Sequence, residues 1–178
     1  MDETAVAAET DQYLTFKLDT ETYAVNVIHV QGILEWMRIT RLPRASEIMR
    51  GVVNVRGNVV PLMDLRLKFG MTKTEQGRDT CIINMEVVVN DEKLVIGVLA
   101  DAVEEVIELD ESHIDPTPRI GTRIDTEFIK GIGKRDDGFI IILNVERIFS
   151  QQEMDMMQEA SAVSVPQEEA VVAATADK

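Results

Sequence analysis

Cysteine is almost absent from this chain of 178 residues, because Cys81 is its one thiol. An internal disulfide is therefore impossible, and this usage is typical of a reducing cytoplasm. No apolar run approaches the ~20 residues that span a bilayer, and the start of the chain has no basic-then-apolar segment typical of a signal peptide. We expect a soluble, cytoplasmic protein that does not insert into a membrane.

Basic residues are also scarce, since 18 Lys and Arg face 32 Asp and Glu, giving a net charge of −14. No basic run is present, which disfavours binding to nucleic acid or to acidic membrane surfaces. The acidic excess is concentrated at the two ends, and the middle of the chain is only mildly acidic. We predict a disordered tail over residues 1–12, and we expect residues 151–178 to form the end of a C-terminal helix and a flexible acidic tail.

The residue patterns of common catalytic and metal sites are missing as well. His29 and His113 lie far apart in the sequence, and neither has a Cys or a second His at ligand spacing. The chain has no nucleophile elbow, glycine-rich phosphate loop or aspartic-protease triplet. These absences favour a protein without catalysis, cofactor or metal. A hydrolase that uses Asp101 or Asp136–Asp137 stays an alternative, to be revived only by observed turnover.

Short alternating runs of Val, Ile and Leu dominate the chain instead, and they favour strands. Hairpins are predicted over residues 13–27, 81–100 and 128–143. Residues 27–34 switch to helical spacing, which indicates a short helix or a kinked strand. A final helix is predicted to begin after Asn144.

Residues 49–70 read MRGVVNVRGNVVPLMDLRLKFG and carry several local signals. Gly57-Asn58 is a dipeptide suited to a two-residue hairpin turn between two Val-rich strands. Pro61 cannot donate to a strand ladder, so its strand should lie at an edge or be irregular there. Asp64 and Gly70 are suited to cap a short helix at its start and its end.

The same arrangement returns later in the sequence. Residues 48–69 align without a gap on residues 128–149, which superposes turn, cap and core positions. Residues 23–34 align in the same way on residues 96–107. We infer two copies of one all-β unit, each with about five short strands. Two small closed barrels that share a core explain this pattern, because closure removes exposed strand edges and such small units would be marginally stable alone.

The motifs RGVVNVRGNVVPLMDLRLKFG at 50–70, YAVNVIHVQGIL at 23–34 and VIGVLADAVEEVIEL at 95–109 closely resemble the CheW family of bacterial chemotaxis coupling proteins. The resemblance extends over about residues 13–150. It implies two SH3-like five-stranded barrels, roughly 13–86 and 87–150, and leaves open an exchange of strands between them. It also implies a non-catalytic adaptor, monomeric in isolation and assembled in arrays, that binds chemoreceptor tips and the regulatory domain of the histidine kinase CheA.

The family resemblance assigns candidate binding residues. The expected receptor-binding residues are Val30, Ile33, Arg56, Val103 and Val106. The expected kinase-binding residues are Gly51, Val59 and Gly97. Gly32 departs from the family, because relatives often have a charged or larger residue there.

Without the resemblance, these residues have ordinary explanations. The four apolar receptor residues would be read as core, and Arg56 as a solvated turn residue. A nucleic-acid-binding barrel is a further alternative, disfavoured by the acidic core sequence and the scarcity of aromatic residues. The resemblance itself leaves open a standalone relative of the kinase's own regulatory domain.

Overall fold

The structure is a computed structural model that describes residues 10–43, 46–115, 126–135 and 138–162. Its strands are β1 (Thr10–Leu18), β2 (Glu21–Asn26), β3 (Val30–Glu35), β4 (Met49–Val55), β5 (Asn58–Met63), β6 (Cys81–Val89), β7 (Glu92–Ala100), β8 (Ala102–Asp110), β9 (Ile114–Asp115), β10 (Ile129–Arg135) and β11 (Gly138–Leu143). Its α-helices are α1 (Leu65–Lys68) and α2 (Gln151–Ala162). Short 3-10 turns cover Val27–His29, Glu111–His113 and Thr126–Phe128.

The two halves of the chain exchange hairpins. One sheet has the order β8-β1-β2-β11-β10-β9, so the hairpin β1–β2 of the first half completes a barrel built from the second half. The other sheet has the order β3-β6-β7-β5-β4, and the hairpin β6–β7 of the second half completes a barrel built from the first. The all-β class with two SH3-like barrels is confirmed. A boundary between residues 86 and 87 falls inside β6, so a contiguous division of the chain there does not follow the sheets.

The strand register confirms the internal repeat. β4 pairs with β5 as β10 pairs with β11, because Gly51 faces Leu62 as Gly131 faces Ile142. Each pair has a register shift directly before its glycine. The parallel neighbours also correspond, since β5 lies beside β7 as β11 lies beside β2. The barrel that contains β1 and β2 is here called the first barrel, and the barrel that contains β6 and β7 the second. Among the described residues, the first barrel has six strands, because β9 joins its sheet where the second barrel has a single bridge between Thr40 and Val52.

Both equivalent glycines sit where another chain segment passes close by. A Cβ atom on Gly51 would contact the carbonyl oxygen of Thr40, and one on Gly131 would lie 2.8 Å from the carbonyl oxygen of Asp115. Gly51 also has φ +146°, a conformation that side chains disfavour. Glycine at these positions therefore lets β4 and β10 approach the segments that close their barrels.

The two barrels share a core, as the repeat predicts. The largest buried cluster combines Phe16 and Tyr23 of the first barrel with Ile83 and Met85 of the second. A row of aromatic rings runs through it, with Tyr23 stacked on Phe16 at 6.1 Å and on Phe69 at 5.7 Å between centroids. Burial in this cluster holds the barrels together, because neither could bury its apolar faces alone.

The predicted hairpin turn was placed one residue too late. Val55 faces Asn58, so the turn residues are Arg56 and Gly57, with φ of 57° and 88°. Two successive positive φ values are typical of a type I′ turn, whose twist matches that of the flanking strands. β5 is flanked by β4 and β7, yet its pairing to β7 begins only at Leu62, so Pro61 interrupts no ladder on that side.

Two predicted boundaries also move. β1 begins at Thr10, so residues 10–12 belong to a strand and not to the predicted tail, while residues 1–9 and 163–178 lie outside the described residues. The segment 27–34 is a 3-10 turn followed by β3, which agrees with the kinked-strand alternative. The side chain of Asn144 accepts from the N–H of Glu146 in a turn, and α2 begins only at Gln151.

A capping box fixes the start of α2. The hydroxyl of Ser150 accepts from the N–H of Glu153 at 3.1 Å, and a Glu153 carboxylate oxygen accepts from the N–H of Ser150 at 2.9 Å. The same Glu153 oxygen pairs with Lys68 of α1 at 2.8 Å, while Met157 of α2 is fully buried. The cap thus begins the helix and also fastens it to the core.

We expect Ser150→Ala to lower the free energy of unfolding by about 1 kcal/mol, because one N–H at the start of α2 loses its acceptor. Urea unfolding followed by circular dichroism measures this. Gln152→Ala, at an exposed position of the same helix, is the matched control and should change stability little. Equal losses for the two variants would contradict a capping role.

Candidate partner-binding surface

Residues from five strands and the C-terminal helix line an open groove of about 610 Å³ on the second barrel, here called the Arg56 groove. Its lining residues come from β3, the β4–β5 hairpin, β6, β7 and the end of α2: Gln31, Gly32, Ile33, Leu34, Val55, Arg56, Asn58, Val59, Val60, Asn84, Lys93, Leu94, Val95 and Ser161. Three sequence-predicted residues meet here, namely Ile33 and Arg56 from the receptor set and Val59 from the kinase set. The structure therefore places one predicted kinase residue beside two predicted receptor residues.

The tight turn between β4 and β5 presents Arg56 to the groove. The N–H of Gly57 donates to the side-chain oxygen of Asn54 at 2.7 Å, which holds the turn, and the Arg56 side chain is exposed. Arg56 and Lys93 are the charged residues of the lining, which contains no acid. In a protein with net charge −14, this local cationic field favours an acidic or carbonyl-rich partner.

Asn84 is a polar residue of the groove that is buried, with 8% of its surface exposed. Its side-chain oxygen accepts no hydrogen bond from the described residues. Asn84 faces Gly32 across β3–β6, and a Cβ atom on Gly32 would meet nothing within 4 Å. An acceptor thus lies beside open space, and a side chain larger than glycine would fit there.

The remaining receptor residues lie elsewhere. Val30 and Val103 are half-buried against the central core, and Val106 is 51% exposed on β8 at the edge of the first sheet. Val103 and Val106 are the repeat equivalents of Val30 and Ile33. The exposed pair Ile33 and Val106 offers apolar contact area, whereas Val30 and Val103 mainly support the strands beneath it.

Gly51 and Gly97, the other predicted kinase residues, are buried within the second barrel. A Cβ atom on Gly97 would lie 2.8 Å from the Ile82 side chain and 3.1 Å from the Leu62 side chain. Neither glycine presents a surface of its own. Their contribution is to let neighbouring strands approach closely.

Sequence reasoning named only a few of the lining residues, and those it missed include Asn84, Lys93, Leu94 and Ser161. Asn84 left a signal, because it interrupts the apolar run CIINMEVVV of β6. Lys93 and Leu94 look like ordinary hairpin residues, and only the exchanged position of β6–β7 brings them to β3.

A second groove, of about 640 Å³, lies beside Arg41, Arg50 and Lys73. Arg50 is already engaged there, because it donates to Asp64 at 2.9 Å and to the carbonyl oxygen of Thr74 at 2.8 Å. The predicted N-cap role of Asp64 is confirmed, since Asp64 accepts from the N–H of Arg66. Of the three basic residues here, Arg50 is thus occupied with holding α1 and the following loop.

Cys81 is half-buried at the start of β6. Burial raises the pKa of its thiol, Asp79 raises it further, and a hydrogen bond with the backbone of Val103 partly opposes both. A raised pKa lowers the thiolate fraction near neutral pH, and the thiolate is the reactive species.

We therefore expect folded Cys81 to react with iodoacetamide at pH 7.5 at least about tenfold more slowly than the same thiol in the urea-unfolded chain. Mass spectrometry of the time course measures both rates. Equal rates would contradict the burial of this thiol.

Metal ligation finds no support among the described residues, where no group of three His, Cys, Asp or Glu side chains could hold an ion. His113 is engaged locally, with Nδ1 lying 2.8 Å from an oxygen of Asp110. Hydrogen bonds from Ser112 and His113 lower the pKa of Asp110. The helices in the described part of the chain are too short to span a bilayer.

This chain is similar in sequence and in structure to CheW proteins. The model of the CheW-like domain matches residues 12–153. Chemotaxis protein CheW of Klebsiella aerogenes is 30% identical over 85% of this chain and 90% of its own, and that of Helicobacter pylori is 35% identical over 79% and 82%. The scaffolding protein TtCheW of Thermoanaerobacter tengcongensis superposes with a TM-score of 0.69 at 35% identity, over 79% of this chain and 88% of its own. The chain belongs to the CheW-like family.

Proposed function

We propose that this protein is a non-catalytic adaptor of bacterial chemotaxis that couples the cytoplasmic tips of chemoreceptors to the histidine kinase CheA. Family membership and the similarity to a scaffolding protein support this role. The observation that carries it is the Arg56 groove, where an apolar wall lies beside a cation with no ion-pair partner among the described residues.

The proposed receptor contact is helix-in-groove recognition. A receptor tip is a helical hairpin, and an apolar helix face can pack against Ile33 while Arg56 binds a carboxylate or a helix C-terminal carbonyl. Val106 would extend the apolar contact on β8, with Val30 and Val103 supporting the two strands from below. Each interaction is modest, which suits an interface that must respond to signalling.

The proposed kinase contact is made between barrels, on the second barrel of this chain. Gly51 and Gly97 act through the backbone, because they set how closely the strands of that barrel pack. Val59 is half-buried and supplies direct apolar area. Holding receptor and kinase through two interfaces raises their effective concentration and lets receptor signals shift the kinase between active and inactive populations.

Isothermal titration calorimetry with a receptor cytoplasmic fragment, and separately with the CheA regulatory domain, tests the proposal. We expect saturable binding to each partner, and a ternary complex when all three proteins are mixed. Absence of binding to both partners would overturn the adaptor role. Binding to the kinase domain alone would reject the coupling function.

A further inference from the structure

The end of α2 opens into the Arg56 groove. Ser161 is one of the lining residues, and Ala162 is the last residue of the helix. Residues 163–178 of the chain therefore start at the groove itself. No other chain segment outside the described residues has its attachment point among the lining residues.

The position of this starting point is well fixed. On α2, Met157 and Ala160 are buried, and Gln158 accepts from Asn90 at 2.8 Å and donates to Glu92 at 2.9 Å. These contacts tie the last turns of the helix to the β6–β7 hairpin. Whatever follows Ala162 is thus held at high local concentration beside the groove.

The chemistry of the tail matches that of the groove. Residues 163–169 read VSVPQEE, with two valines, a proline that disfavours helix in the residue before it, and two adjacent glutamates. The groove offers apolar side chains such as Leu34 and Leu94, and its cations Arg56 and Lys93 have no acid beside them in the lining. An extended segment of this length spans at most about 23–25 Å, enough to run from Ser161 along one groove.

The groove floor also lacks a donor that an extended chain would supply. The side-chain oxygen of Asn84 is buried without a hydrogen-bond partner among the described residues, and the space at Gly32 beside it is open. Leaving a buried acceptor unpaired is unfavourable, whereas a backbone N–H of an incoming segment would satisfy it.

We propose that residues 163–169 of this chain bind in the Arg56 groove, with Glu168 and Glu169 against Arg56 and Lys93, and act as an intramolecular competitor for the groove. Docking itself is independent of the adaptor role, and its consequence for receptor binding rests on the proposed function. With an effective concentration of about 3 mM and a segment affinity of about 0.3 mM, the closed state exceeds the open state about tenfold.

Amide NMR of the full-length chain tests docking without any partner. We expect the double variant Glu168→Lys, Glu169→Lys to shift the NMR resonances of the Gly32 backbone amide and the Asn84 side-chain amide. The size of these shifts should not depend on protein concentration. Arg56→Glu with Lys93→Glu should produce the same shifts, and the combination of all four substitutions should restore the original positions. The amide of Gly133, on the first barrel, is the internal control and should not move.

Identical groove resonances in the parent chain and the Glu168→Lys, Glu169→Lys variant would overturn the proposal. So would shifts that appear only as protein concentration rises, because the tail would then bind a second copy. In the receptor titration, the tail variant should bind about tenfold more tightly than the parent. Docking by NMR with no receptor binding in any variant would leave the docking intact and reject the adaptor role instead.

Discussion

Asp64→Ala is expected to lower the free energy of unfolding by about 3–5 kcal/mol, a large share of the stability of an ordinary domain. The Asp64 carboxylate is fully buried and accepts four hydrogen bonds, from the side chain of Arg50, the backbone of Arg66, and both the backbone and the hydroxyl of Thr74. Removing it leaves the Arg50 guanidinium without its carboxylate partner. The backbone N–H and the hydroxyl of Thr74 also lose their acceptor. Urea unfolding measures the loss.

The internal repeat supplies a matched control for this substitution. Asn144 is the equivalent residue of the second copy, and its side chain accepts from the N–H of Glu146 at 3.2 Å. Asn144→Ala should cost only about 1 kcal/mol, the typical net contribution of one hydrogen bond, here in a turn. Similar losses at Asp64 and Asn144 would mean that Asp64 acts as a cap alone and that its pair with Arg50 adds nothing.

One role of Asp64 could be predicted from the sequence and the other could not. Asp64 was recognisable as a cap because capping depends on residues next to it in the chain. Its pairing with Arg50 and Thr74 could not be predicted, because those contacts depend on how β4 and the loop after α1 fold back. The capping role could be predicted from neighbouring residues, whereas the hydrogen bonds to Arg50 and Thr74 depend on the tertiary structure.

The fold shows the same limit on a larger scale. The repeat predicted two similar barrels, and the equivalent positions of Gly51 and Gly131 confirm its register. The exchange of β1–β2 and β6–β7 could not be decided, because each hairpin presents the same apolar pattern to either barrel. That exchange is what places Asn84 and Lys93 beside β3, and it explains why these two lining residues were missed.

The turn at Arg56 joins the fold to the proposed function. In the repeat, the residue of the second copy that aligns with Arg56 is an aspartate, and the backbone of the first copy holds the arginine at φ 57° in a turn braced by Asn54. The Arg56 side chain is exposed. The duplicated scaffold thus leaves this position free to differ between copies, and charge at this position is where partner choice can be encoded.

Arg56→Glu is expected to weaken binding to a receptor cytoplasmic fragment by about 30- to 100-fold, or about 2–3 kcal/mol, because a recognition cation becomes a repelling anion in a groove that contains no other acid. Calorimetric titration measures the loss. Kinase binding should change by less than about threefold, since Gly51, Val59 and Gly97 are uncharged. Thermal stability should hold within about 0.5 kcal/mol, because the side chain is exposed.

Lys134→Glu makes the same charge change on an exposed strand of the first barrel and is the matched control, so its receptor affinity should stay near that of the parent chain. Arg56→Lys separates charge from shape, because lysine keeps the cation and loses the bidentate fork. An intermediate loss for Arg56→Lys, together with a weaker effect of Arg56→Glu at high salt, would indicate an ion pair at the interface. Unfolding of Arg56→Glu would instead make Arg56 a structural residue. An equal loss of receptor affinity for Lys134→Glu would make the effect one of net charge. Either result would remove the groove from the receptor interface.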